Sequence, residues 1–183
     1  STFQVVGNEI FVLGVTKGSD FPVTDGSTPS TNGGQFIYLK LNATTGDITF
    51  ATYLGVEGYA LDLRVDNGGV YILGTTAQAD FLVTDGSILQ GNLDFFLRKY
   101  NISDNALVYS KLLGSTVQEF MAQMEVQNGV VYLVGHMESN QGYPHTSVPG
   151  SYSGLNHLFY TKLNANTGAV SYSTWIDSNA GEE

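Results

Sequence analysis

The chain contains no cysteine, so neither disulfides nor thiolate-bound metals can brace it, and packing and hydrogen bonds must hold the fold. Basic residues are scarce: 7 Lys+Arg stand against 17 Asp+Glu, a formal net charge of -10, which argues against a nucleic-acid backbone or an anionic membrane surface as partner. No apolar run approaches the ~18 residues that a spanning helix needs. Sustained apolar spacing of three and four residues is missing too, so helix is not expected. Glycine and aromatics are plentiful instead, with 22 Gly, 11 Tyr and 10 Phe among 183 residues that are 42% hydrophobic. That composition supports a packed core and favours strands joined by tight turns.

The chain repeats. Asp80-Phe81-Leu82-Val83-Thr84-Asp85-Gly86-Ser87 is a near copy of Asp20-Phe21-Pro22-Val23-Thr24-Asp25-Gly26-Ser27, and a looser third copy runs from Tyr143-Pro144-His145-Thr146 to Ser151. The strand-like segments ending at Gly14, Gly74 and Gly135 step by the same interval, as do Leu39-Lys40-Leu41-Asn42, Arg98-Lys99-Tyr100-Asn101 and Thr161-Lys162-Leu163-Asn164. A period of about sixty residues reads as a propeller or solenoid repeat. It divides the chain into three units, approximately 1–62, 63–123 and 124–183.

Within a unit, 60–65 and 121–126 alternate apolar and polar as a strand does, and Asn67-Gly68 and Asn128-Gly129 then supply hairpin turns. Val70 to Thr75 is apolar at consecutive positions, so both faces of that strand are expected to be covered, with Gly74 admitting a neighbouring side chain. Long loops follow at 17–34, 77–93 and 138–156, and then two further strands joined by a short polar turn. Four antiparallel strands per unit describe a β-propeller blade, ahead of a parallel β-helix, whose coils are shorter. The fold expected is all-β, with three four-stranded blades of a larger ring. The long loops should share a rim with 56–58 and 115–117, and Phe21, Phe81 and Tyr143 should be buried rather than displayed.

The repeat resembles the SBBP repeat of bacterial propellers at Gly14-Val15-Thr16, Gly74-Thr75-Thr76, Asp20 to Thr24, Asp94-Phe95-Phe96, Lys40-Leu41 and Tyr53-Leu54-Gly55. It departs where Leu82 replaces the Pro and where the third copy loses the Asp-Phe. The resemblance implies a closed ring, often seven-bladed, in bacterial surface or secreted proteins with no assigned catalytic residues. Three blades cannot close such a ring. Both chain ends fall inside a blade, so further blades of the same chain, or a protein partner, are expected to cover the open faces. Those faces are expected to carry Val5 and 10–13 at one end, and Phe159, Leu163, Tyr172 and Trp175 at the other.

Candidate chemistry is thin. His136, His145 and His157 all lie in the third unit, but without the spacing of a local ligand pair; His157 takes the position of Gln35 and Asp94, and His136 that of Val15 and Thr75. They read as ordinary polar positions, and no metal or other cofactor is expected. Asp20, Asp25, Asp80 and Asp85 lack the dense alternating oxygens of a calcium loop, and Asp-Gly-Ser is a turn sequence. Asn42-Ala43-Thr44 and Asn101-Ile102-Ser103 fit the N-glycosylation pattern, yet their counterpart Asn164-Ala165-Asn166 does not, which favours a turn role for the shared Asn. The residues singled out are therefore structural repeat positions: Gly14, Gly74, Gly135, Asp20, Phe21, Asp25, Gly26, Asp80, Phe81, Asp85 and Gly86. The expected function is a noncatalytic extracellular or cell-surface interaction module, whose partner could be a glycan or a surface protein. A secreted carbohydrate-active enzyme with its catalytic residues on other blades is the alternative.

Overall fold

Tight turns decide where the strands begin. Asn67 and Gly68 take φ of 45° and 76°, and Asn128 and Gly129 take 52° and 78°, the paired positive values that a type I′ hairpin needs. At the equivalent place in the first unit Gly7 supplies the positive φ, 59°, at the first central position of the turn. A second kind of turn closes the outer hairpin of each unit. Asn42 Oδ1 accepts from the N–H groups of Thr44 and Thr45, and Asn164 Oδ1 accepts from those of Asn166 and Thr167. The two turns of a unit are tied together by Ala43 N–H to Asn8 O, Ile102 N–H to Gly68 O and Ala165 N–H to Gly129 O.

The computed structural model describes residues 1–29, 35–56, 58–137, 141–146 and 157–176, with backbone alone for Val56, Phe120 and His157. Among them are twelve strands and no helix: β1 (Thr2–Val6), β2 (Glu9–Thr16), β3 (Gln35–Asn42), β4 (Ile48–Val56), β5 (Ala60–Asp66), β6 (Gly69–Thr76), β7 (Asp94–Asn101), β8 (Leu107–Leu113), β9 (Glu119–Gln127), β10 (Val130–Met137), β11 (His157–Asn164) and β12 (Val170–Ile176). They form three four-stranded antiparallel meanders in sequence order, β1 to β4, β5 to β8 and β9 to β12. In register, Gly14 lies opposite Ile37, Gly74 opposite Phe96 and Gly135 opposite Phe159, so the three sheets superpose position by position.

The sheets stack face to face with their first strands side by side, β5 lying between β1 and β9. Phe11, Leu13 and Tyr38 of the first sheet pack on Ile72, Phe96 and Tyr100 of the second. Tyr71, Leu73 and Phe95 on the other face of the second sheet pack on Met124, Leu133 and Phe159 of the third. Only the middle sheet is sandwiched. Every residue of β6 is buried, whereas β10, just as apolar in sequence, alternates between buried and exposed from Leu133 onward. The arrangement is propeller-like, three blade-shaped sheets in succession.

One lysine in the third strand of the first sheet, and one in that of the second, bridges to the sheet that follows. Lys40 Nζ donates to Ile102 O at 2.9 Å from a position 5.6 Å from the Phe11 ring. Its counterpart Lys99 Nζ donates to Ala165 O at 3.0 Å and Asn166 Oδ1 at 3.2 Å, and stands 5.2 Å from the Tyr71 ring. In both cases the acceptor carbonyl belongs to the residue that follows the turn asparagine of the next sheet. Burial lowers the Lys99 amine below its ordinary pKa, against a rise from Asp66. Lys99→Met keeps the apolar stem and deletes the ammonium, and it should lower stability by about 1.5–3 kcal/mol, the range for hydrogen bonds to a charged group. Urea unfolding measures this, and an unchanged midpoint would show that the bridge contributes nothing.

Candidate functional site

The repeated loop lies along the outer strand of its own sheet, a placement that the alternation pattern does not disclose. Thr24 N–H donates to Ala51 O while Ala51 N–H donates to Thr24 Oγ1, and Tyr53 N–H donates to Ser27 Oγ. The second sheet repeats this with Thr84 and Ser110, and with Leu112 N–H to Ser87 Oγ. Thr146 and Ser173 form the same reciprocal pair in the third, where 147–151 of the looser copy lie outside the described residues. The loop thus satisfies backbone groups that a free sheet edge would present to other chains.

Asp25 and Asp85 shape the clip. Each accepts from the Ser two residues on, Ser27 N–H and Ser87 N–H, with Gly26 and Gly86 at φ 74° and 76° between them. Burial alone would raise both carboxyls. For Asp25 the hydrogen bonds from Thr52 and Ser27 outweigh it, and for Asp85 those from Ser87 together with Lys111 do, so both lie below 3.8. Asp20 and Asp80 are exposed.

The aromatics fill the space behind the clips. Phe81 is buried between the first and second sheets, its ring 4.9 Å from Phe96 and 4.2 Å from the Arg98 guanidinium carbon. Tyr143 is buried against Phe159 at 5.0 Å, its hydroxyl sharing a hydrogen bond with Thr161. Phe21 is half-buried, and with Val23 it covers Ile37, Leu39, Ala51 and Tyr53 on the outer half of the first sheet. The spacing from aromatic to threonine is the same in all three copies, Phe21 to Thr24, Phe81 to Thr84 and Tyr143 to Thr146. The third copy keeps the aromatic and the threonine.

The loops meet the connection 115–117 between the second and third sheets, as expected, and the end of β4 before the connection 56–58. Gln78 and Phe81 lie against Gly55, and Asn92 N–H donates to Val117 O; Glu57 lies outside the described residues. The mid-strand glycines admit close neighbours. A Cβ on Gly74 would stand 2.6 Å from the Phe96 ring, and one on Gly135 2.2 Å from Met121 O, whereas Gly14 meets Ile37 at an ordinary 3.5 Å.

A cleft of about 580 Å³ opens between the first and second sheets, lined among others by Asp25, Phe50, Gln78, Arg98, Tyr100 and Asn105. Arg98 breaks the repeat, standing where the other sheets have Leu39 and Thr161. It is 4% exposed, and its guanidinium donates to Leu54 O at 2.7 Å, Ser110 Oγ at 3.1 Å and Leu82 O at 3.4 Å. Burial lowers its pKa from the ordinary value, opposed by the neighbouring Tyr100. Its geometry is that of a rivet: one cation joins the first sheet's outer strand to the second sheet's loop. An arginine in mid-strand of a near-repeat was the signal available in the sequence for this position.

The histidines do not converge. His145 is exposed, edge-on to Trp175 at 5.0 Å, with Nδ1 3.2 Å from Tyr143 O. His136 stands on the opposite face of the third sheet, and the side chain of His157 lies outside the described residues. Asn42 is held in its turn, as described above. The backbone of Asn101 occupies the same turn.

The two end faces stand out by exposure. Phe3 is 67% exposed, whereas the residues at the same position of the following sheets, Leu63 and Met124, are 1% and 2% exposed. On the last sheet Val134 is 43% exposed where its counterparts Leu13 and Leu73 are fully buried. Which side chains form these faces differs in part from the sequence expectation. Val5 and Tyr172 are open, but Phe11, Leu13, Phe159, Leu163 and Trp175 point to the neighbouring sheet and are buried. Successive strand residues alternate between faces, and apolar content on both sides gave no indication of which side looked outward.

Neither family models nor curated proteins give a match to this chain.

Two consequences can be measured. Phe81→Ala should cost about 3–5 kcal/mol, as truncation of a buried Phe does, and Thr84→Val about 1–3 kcal/mol by leaving the Ser110 N–H without its acceptor. Unchanged melting of Phe81→Ala would make that loop a binding element instead. The carboxylates of Asp25 and Asp85 contribute stability above 3.8 that is lost as pH falls through their lower folded values. The Ser27 and Ser87 amide resonances should accordingly titrate with midpoints below 3.8, and midpoints at or above it would contradict the clip geometry.

Proposed function

We propose that the three sheets are consecutive blades of a larger β-propeller that serves as a noncatalytic interaction and scaffold module of a bacterial surface or secreted protein. The observation that carries this reading is the contrast of Phe3 with Leu63 and Met124: one repeat position is buried wherever a preceding sheet exists and open where none does. An apolar sheet face of this kind is built to be covered, by a further blade or by a protein partner. The repeated loop residues support the same reading. Their side chains hold sheet edges and inter-sheet seams, which gives their recurrence a structural cause. The setting on a bacterial surface rests on the likeness of the repeat to the SBBP propeller repeat.

The test combines binding and turnover. The chain should bind an apolar fluorescent dye, and Phe3→Ser with Val134→Ser should reduce that binding without lowering the melting temperature. It should leave chromogenic glycosides intact. A monomeric chain that binds no dye, or a chain that hydrolyses a glycoside, would overturn the proposal.

A further inference from the structure

The lysine bridge occurs twice inside the chain and a third time without its acceptor. Lys162 takes the position of Lys40 and Lys99, on the open face of the third sheet, with Nζ 5.7 Å from the Tyr160 ring and 5.8 Å from the Tyr172 ring. Among the described residues its ammonium has no hydrogen-bond acceptor. At the other end of the chain the complementary half is present. Ala43 follows the turn asparagine of the first sheet, as Ile102 and Ala165 do in theirs, and no described lysine donates to its carbonyl.

The apolar surfaces match in the same order. In the two seams already formed, the residues at the positions of Tyr132, Val134 and Tyr160 pack on those at the positions of Phe3, Ile10 and Val12. The chain therefore carries one complete half-seam at each end. Resting on the reading of the end faces as interaction surfaces, we propose that these faces bind each other in a second copy of this chain, head to tail, with Lys162 of one copy donating to the Ala43 carbonyl of the other. The association is heterologous, because the two surfaces differ. Two copies that meet at both ends bring six sheets, three from each, around one axis, within the roughly 4–8 blades of closed propellers. A further seam of this type needs no new chemistry, since the bridging lysine, its aromatic seat and the turn carbonyl are those of the internal seams.

The experiment uses two variants, each disabled at one face. Phe3→Asp places a charge on the leading face and Val134→Asp on the trailing face; both positions are exposed, and Val5→Asp replaces the first variant should circular dichroism show it unfolded. Sedimentation equilibrium at up to about 100 µM should show the wild type self-associating, since a contact of that strength is visible in this range. Each variant alone should be monomeric, and their mixture should form a 1:1 complex through the one intact seam. Adding Lys162→Met to the Phe3→Asp variant should weaken that complex about tenfold, as loss of a charge-assisted hydrogen bond does. A wild type that stays monomeric, variants that still self-associate, or a mixture that does not pair would each overturn the proposal. Monomeric wild type that nevertheless binds the apolar dye would leave the end faces as surfaces for another partner, whereas absence of dye binding would remove that reading as well.

Discussion

The outer edge of each sheet is the constraint to which the rest of the structure answers. A meander of four strands leaves its last strand with unpaired N–H and C=O groups, and such an edge invites pairing with other chains. Here the chain answers with its own loop. Thr24, Thr84 and Thr146 exchange hydrogen bonds with Ala51, Ser110 and Ser173, and an aromatic three residues earlier seats the loop on the sheet behind it. Because the clip sits beside the seam, edge protection and sheet stacking are one device. Phe81 belongs to the loop of the second sheet, yet its ring lies in the seam with the first.

Seams are joined by apolar packing and fastened by cations. Lys40, Lys99 and Arg98 are each nearly buried, and each is offset by carbonyl oxygens and aromatic ring faces instead of a carboxylate alone. A buried cation is costly unless it is well coordinated, so these contacts confer geometry as much as stability. They fix how far one sheet is rotated on the next, because a lysine of one sheet must reach a particular turn of another. That requirement makes the open third lysine informative about what the trailing face fits.

Recurrence of the loop therefore has a structural cause. Most of the repeated loop residues form turns, clips and plugs, while the one conspicuous departure, Arg98, also ties backbone together. The inter-sheet packing stops at the two end faces, where Phe3 and Val134 are exposed.

The strands, their order and the all-β class were legible in the chain because period-two alternation, Asn-Gly turns and a sixty-residue repeat are local signals. Val70 to Thr75 declared itself a doubly covered strand, and β6 is buried throughout. The same kind of run in β10 did not declare that one of its faces is open, since burial depends on the presence of a neighbour and not on the strand's own residues. Alternation likewise left undecided that Phe159 and Trp175 turn inward while Val134 and Tyr172 turn outward. The clip formed by Thr84 with Ser110, and the bridge from Lys99 to Ala165, join residues 26 and 66 apart along the chain. Sequence determined which segments are strands and turns, through short-range stereochemistry. Tertiary structure decided which edges are closed, which lysines are used and which faces remain open, because those depend on contacts between segments whose separation no local pattern records.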